Sequence, residues 1–210
     1  MPTLTFQHGT TINWEPPDDG GGSTQYIDFL NVLPKDKVYD KGLEWCAGLS
    51  AISFSLLDAN LVNHMTLMDI YKPALDRASL NAVNNNLYDR VTIQNLDKVG
   101  NLSQSNKFDL VVGNPPHCGV NHFTQDNPLY DQSCRILNDI DWLIHKEFFT
   151  NIINYLHVGA DIFISETAPH QWIYDYAKDA GLTFKHLYLA KELSQYTHTQ
   201  AVIFHFKYET

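Results

Sequence analysis

Gly42-Leu43-Glu44-Trp45-Cys46-Ala47-Gly48-Leu49-Ser50 reads as a β-strand that runs out into small residues and then enters a helix. Glu44, Cys46, Gly48 and Ser50 occupy the alternate positions of an acid-x-Gly-x-Gly-x-Gly loop, with Cys46 and Ser50 standing in for two glycines. Small residues after a strand let the backbone approach a ligand at the C-terminal edge of an open α/β sheet. A tight strand–helix turn with no ligand is the plain alternative for so degenerate a pattern.

Outward from this stretch, short β-rich runs alternate with helical ones, which predicts an α/β fold with a mostly parallel sheet. The helix after the loop covers about Ser50 to Leu57. A strand near His64 to Met68 stops at Asp69, and Pro73 opens the next helix, which Asn84-Asn85-Asn86 breaks. Val91-Thr92-Ile93 is a third strand and Phe108-Asp109-Leu110-Val111-Val112-Gly113 a fourth. Phe148, Phe149, Ile152, Ile153 and Leu156 recur at helical spacing, with Gly159 expected to close that helix. A fifth strand follows at Ala160 to Ser165, then a helix from about His170 to Ala180. Phe184 to Leu189 and Ala201 to Tyr208 read as a final antiparallel hairpin near the sheet edge, joined by the polar stretch around Ser194 to Gln200. The expected architecture is a doubly wound sheet of seven strands. Residues 1–36 form an N-terminal arm packing on a core domain of residues 37–210, and Pro16 to Ser23 is the compositionally biased, mobile part of that arm.

Composition narrows the function. Fourteen Lys and Arg against 24 Asp and Glu give a formal net charge of −10, with no basic cluster. Duplex binders gain most of their affinity from basic side chains on phosphates, so an autonomous nucleic-acid binder is disfavoured. No apolar run approaches the length of a membrane helix, and the first residues lack the features of a signal peptide. Cys46, Cys118 and Cys134 are odd in number, which argues against a disulfide framework and for a reducing cytoplasm.

Two further groups carry chemistry. Asp69 ends the second strand 25 residues after Glu44, where a carboxylate matches the vicinal hydroxyls of a ribose. Asn114-Pro115-Pro116-His117 directly follows the fourth strand. Two prolines force the chain out of the sheet and leave the Asn114 side-chain oxygen and the Pro115 carbonyl as acceptors with no competing proline donor. Two converging acceptors suit a planar NH₂ group: holding both protons turns the nitrogen lone pair out of conjugation and toward an electrophile.

An Asn-Pro-Pro-aromatic turn after strand four, with an acidic small-residue loop after strand one, resembles the Rossmann-like class I S-adenosylmethionine-dependent methyltransferases that modify planar amino nitrogens. Trp14-Glu15-Pro16-Pro17-Asp18-Asp19 further resembles the arm of the release-factor glutamine-N5 methyltransferases (HemK-like). The resemblance implies S-adenosylmethionine as cofactor. It implies that Glu44, Cys46, Gly48 and Ser50 line the methionine moiety, that Asp69 holds the ribose, that Leu96 and Asp97 meet the adenine, and that Ile70 and Asn114 also contact the cofactor. Asn114 and Pro115 would then grip the substrate nitrogen while Pro116 and His117 shape its planar face. His117 stands where such enzymes usually have Tyr, Phe or Trp, and only Gly48 of the three loop glycines is present.

A protein glutamine is the substrate class this implies. A nucleobase amine (adenine N6 or guanine N2) is the alternative, and a non-catalytic scaffold that has lost its cofactor is the second. Exposed apolar strand edges offer a place for an activating subunit. Cys118, His122 and Cys134 do not have the spacing of a four-ligand zinc site, so no metal is expected. The scattered histidines, His145, His157, His170, His186, His198 and His205, read as surface or packing residues.

Overall fold

The computed structural model describes residues 1–15, 24–117 and 138–209. Its main sheet contains β3 (Tyr39–Trp45), β4 (Val62–Asp69), β5 (Val91–Asn95), β6 (Phe108–Gly113), β7 (Leu156–Glu166), β8 (Thr183–Leu189) and β9 (Val202–Lys207), in the order β5-β4-β3-β6-β7-β9-β8. β3 to β7 are parallel, and β9 lies antiparallel between β7 and β8. The expected seven-stranded α/β sheet and its C-terminal hairpin are both present. β9 is interior and β8 is the edge.

Alternation along the strands builds two apolar layers, as a sheet covered on both faces requires. Leu110 and Val112 point to one layer and Val111 to the other; Phe163 opposes Ile162 and Ile164 in the same way. Helices α2 (Ala51–Asp58) and α3 (Lys72–Asn84) belong to the first layer, and α4 (Leu143–Asn151) and α5 (Gln171–Asp179) to the second. Each fully buried Phe or Leu in these layers stabilises the fold by about 1.5–3 kcal/mol before cavity effects.

The N-terminal residues form a β1–β2 ribbon (Thr3–Thr5 and Thr11–Asn13) and helix α1 (Tyr26–Val32). Phe6, Ile12, Trp14 and Phe29 are buried in the first layer. Asn81 on α3 and Asn85, the C-cap one turn later, each accept a backbone amide from β2 and donate to a β2 carbonyl, at 2.7–3.0 Å. The asparagine run that reads as a helix breaker thus also supplies half of a ladder. Residues Pro16 to Ser23 lie outside the described residues.

Two local expectations are corrected. Gly159 does not close a helix: α4 ends at Asn151, a 3₁₀ turn covers Ile152–Tyr155, and β7 already begins at Leu156. Gly159 sits within β7 at φ +90, donating to the Tyr208 carbonyl near the register shift between β6 and β7. The connection from β8 to β9, expected only as a polar stretch around Ser194 to Gln200, contains helix α6 (Lys191–Thr197). Its first amides are capped by Asp28 of α1, which accepts from Lys191, Glu192 and Leu193 at 2.9–3.2 Å. That cap joins the two ends of the chain.

Register decides where the loops emerge. Trp45 pairs with Met68 on one side and with Gly113 on the other, and Asp69 pairs with Asn95. The segments after β3, β4, β5 and β6 therefore leave the sheet at one level, at its C-terminal edge. A side chain on Gly113 would meet the Trp45 ring at 3.0 Å, so glycine there lets β6 lie close against β3.

Candidate active site

At that edge, Cys46, Gly48 and Ser50 all have left-handed backbones, at φ of 56°, 47° and 62°. This is the physical content of the alternating pattern: every second residue bends the chain in a way that favours glycine. Two of the three carry side chains at a cost of about 1–2 kcal/mol each. The Ser50 hydroxyl is buried without a hydrogen-bond partner and does not cap α2. Ser50→Gly is therefore expected to stabilise the fold by about 1 kcal/mol, after glycine's greater unfolded entropy is subtracted. A urea midpoint that stays put or falls would contradict that strain.

Asp69 holds the loop from the side. Its Oδ2 accepts the Gly48 amide at 2.8 Å and its Oδ1 the Tyr71 amide at 2.7 Å. Burial raises its carboxyl above the ordinary aspartate range, with these amides pulling the other way. Glu44 faces α2: its Oε2 accepts the Ser53 amide at 2.9 Å, and burial pushes its carboxyl up to about 8. Its role in this geometry is to anchor the first turn of the helix behind the loop. Burial, followed by the charge of Asp69, pushes the Cys46 thiol upward, which keeps it protonated and poorly nucleophilic. Ile70 is 62% exposed, Leu96 is half-buried and Asp97 is exposed and bonded to Asn101. The Leu96 amide and the Asn95 side chain both donate to the Asp69 carbonyl, which brings the 96–97 turn beside Asp69.

Beyond β6, Pro115 and Pro116 are buried, and Asn114 and His117 are half-buried. Asn114 Oδ1 accepts the Ser165 hydroxyl at 2.6 Å and lies 2.9 Å from His117 Nε2. His117 Nδ1 is 3.2 Å from Glu166 Oε2 at the end of β7. The other oxygen, Oε1, is 2.7 Å from His145 Nε2, and His145 Nδ1 is 2.6 Å from Asp139 Oδ2. An unbroken chain thus runs Asn114, His117, Glu166, His145, Asp139. Burial opposes charge on Glu166, but the His145 and His117 rings outweigh it and hold its carboxyl at about 2. Burial likewise opposes charge on His145, and Glu166 with Asp139 lifts that ring to about 9.

His145 is thus the charged centre of a buried network and not the packing residue its sequence context suggests. Ser165, Glu166 and Asp139 carried no signal as single residues, since their partners are 21 or more positions away or on another element. His205 is likewise in a network, 3.0 Å from Asp161, which also binds Lys37 and Tyr39. There His205, Lys37 and Tyr39 outweigh burial and hold the Asp161 carboxyl well below its usual range. Cys118, His122 and Cys134 lie outside the described residues. Among the described residues no group of His, Cys, Asp and Glu is placed to hold a metal ion, and no helix is long and apolar enough to cross a membrane.

Residues 21–133 match the family described as Methyltransferase small domain. The chain belongs to that family. The family is one of methyltransferase domains. It is 33% identical over 138 residues to a bifunctional methyltransferase of Rickettsia bellii, a match covering 63% of this chain. The match spans only 25% of that relative. Its fold is similar to the ribosomal protein L11 methylase of Lactobacillus delbrueckii subsp. bulgaricus. There the TM-score is 0.61 at 11% identity, over 95% of this chain and 82% of the other. It is also similar to a Streptococcus pneumoniae protein assigned as a tRNA (m1A22) methyltransferase and solved with S-adenosyl-L-methionine. That likeness has a TM-score of 0.63 at 7% identity, over 89% and 72% of the two chains. The relatives thus include proteins named for action on protein and on RNA.

The loop fits the cofactor. The orphaned Ser50 hydroxyl lies within it, and Ile70, largely exposed and apolar, adjoins Asp69.

Proposed function

We propose that this domain methylates a planar amino nitrogen, and that its preferred substrate is the side-chain amide of a protein glutamine, in the manner of the release-factor glutamine methyltransferases. The observation that carries the reading is Asn114-Pro115-Pro116-His117 at the end of β6, beside the loop held by Asp69. When bound, S-adenosylmethionine supplies an electrophilic methyl group on a positive sulfur. Asp69 would accept from its ribose while keeping Gly48 in place; Leu96 and Ile70 would flank the adenine, with Asp97 within reach of its amino group. Gly48 and its neighbours Cys46 and Ser50 would face the methionine end.

Asn114 Oδ1 and the Pro115 carbonyl would accept the two protons of the substrate NH₂, aim its lone pair and then share the positive charge that develops on nitrogen. Pro115 and Pro116 fix both acceptors because neither ring can rotate away. The negative net charge supports a protein substrate over a nucleic acid. A reducing cytoplasm fits the free thiol of Cys46.

A nucleobase amine is the second reading. One observation favours it: Trp142 and Trp172 lie with ring centroids 4.2 Å apart, half-exposed, beside His145 of the site network. An outer face of such a half-exposed aromatic pair can stack a planar base.

Two experiments test these readings. Asp69→Ala is expected to raise the dissociation constant for S-adenosylmethionine by roughly 10–100-fold, the equivalent of one or two hydrogen bonds to a charged group. Unchanged affinity by calorimetry would remove Asp69 from the cofactor site. The substrate class is read by incubating the full chain with methyl-labelled cofactor and a cell extract, then digesting with protease or ribonuclease. Label released by protease alone supports a protein substrate, and label released by ribonuclease alone supports an RNA substrate.

A further inference from the structure

The acceptor that amino methylation requires is already engaged in this structure. A side-chain amide oxygen has two lone pairs, and Asn114 Oδ1 faces both the Ser165 hydroxyl and His117 Nε2. His117 in turn has an acceptor at each ring nitrogen, Asn114 Oδ1 at Nε2 and Glu166 Oε2 at Nδ1. Only the doubly protonated ring satisfies both.

Glu166 has no freedom to follow the ring if it moves. It is fully buried, its second oxygen is bound by His145, and His145 is anchored by Asp139. Asp139 is itself held by the Ile144 and His145 amides at 2.7 and 3.0 Å. The charged and titratable groups facing His117 are Glu166 on β7, with His145 on α4 and Asp139 before it. His170, before α5, also senses the charges of Glu166, His117 and His145.

We propose that His117 is the proton acceptor of the methyl transfer, with Glu166 as its positioning residue, so that one proton on Nε2 decides whether the substrate amine is gripped. This rests on the amino-methylation reading above. With Nε2 protonated, the ring fills Asn114 and the amine is shut out. With Nε2 bare and the Nδ1 proton kept on Glu166, Asn114 regains a lone pair and a basic nitrogen stands beside it. The substrate nitrogen then takes the methyl carbon as the carbon–sulfur bond breaks, leaving a neutral thioether, and gives its own proton to His117 Nε2. The carboxylate behind the ring stabilises the imidazolium that results, as in other carboxylate–histidine pairs. The new Nε2 proton returns to Asn114 and displaces the methylated product, and the ring then releases that proton to solvent.

Two measurements on the full chain test this. In nitrogen-15 spectra of labelled histidines, assigned with His117→Phe, the neutral His117 ring is expected to keep its proton on Nδ1. A neutral ring protonated on Nε2 overturns the proposal, and this reading needs no variant of Glu166 to fold. In methyl transfer to the best amino acceptor, wild-type turnover is expected to rise with pH. His117→Phe should lower turnover by roughly 10²–10⁴-fold, the usual share of proton transfer, and abolish that rise, with cofactor affinity kept. An active wild type with an unaffected His117→Phe overturns the proposal alone. A wild type that methylates no amino acceptor defeats the underlying reading as well.

Discussion

Asn114→Ala is expected to lower the turnover of methyl transfer by about 10²–10³-fold while the affinity for S-adenosylmethionine stays nearly unchanged. The size is that of removing one fixed donor or acceptor from a site where charge develops in the transition state. The split between turnover and affinity follows from position. Asn114 begins beyond β6, whereas the loop that fits the cofactor follows β3 and is held by Asp69. The substitution also leaves the Ser165 hydroxyl and one His117 nitrogen without their acceptor, at a cost of about 1–3 kcal/mol in stability. A melting curve is therefore recorded beside the kinetics. A folded Asn114→Ala protein with full turnover would refute the role given to this residue, and one with weakened cofactor binding would move it to the cofactor site.

His145→Ala should produce the largest loss of stability, about 3–5 kcal/mol. Removing one partner of a buried charge network leaves the others buried without compensation. Here both Glu166 and Asp139 would lose their shared cation in a place where neither is reached by water. The same network shapes the pH dependence. Glu166 is held at about 2 instead of 4.5, so its contribution is complete above pH 4.5 and is lost as pH falls toward 2. His145 is held at about 9 instead of 6.5, so its contribution is complete below pH 6.5 and is lost as pH rises through 9. Their joint stabilisation is greatest between pH 4.5 and 6.5. Urea midpoints measured from pH 4 to 9.5 are expected to decline above pH 6.5 in the wild type and to decline less in His145→Gln. Parallel curves for the two proteins would contradict a charged His145.

The fold could be read from single residues where local chemistry and tertiary structure agree. β6 matches its expected bounds because Pro115 and Pro116 admit no further pairing, and β4 ends at Asp69 because the chain turns there on that side chain. Misreadings arose where a distant group decides. The segment Lys191 to Thr197 has no apolar stripe and becomes helical under a cap from Asp28, more than 160 positions away. Gly159 marks a bend inside a strand, and a glycine after an apolar run looks the same at the end of a helix.

The candidate site divides in the same way. Glu44, Cys46, Gly48, Ser50, Asp69 and Asn114 to His117 stood out because each belongs to a short pattern, and the sheet register brings those patterns to one edge. The supporting chain of Ser165, Glu166, His145 and Asp139 is assembled from separate elements. No spacing links these residues, so from sequence a histidine in an apolar helix reads as packing, whereas the fold sets Glu166 against it.

The decisive measurement is the identity of the atom that receives the methyl group, by fragment-ion mass spectrometry of the product formed by the full chain with labelled cofactor. Methyl on the amide nitrogen of a glutamine, lost in Asn114→Ala, is the result that follows from two acceptors aimed at an NH₂ group. Methyl on carbon, oxygen or sulfur, or on nitrogen with Asn114→Ala fully active, would contradict it.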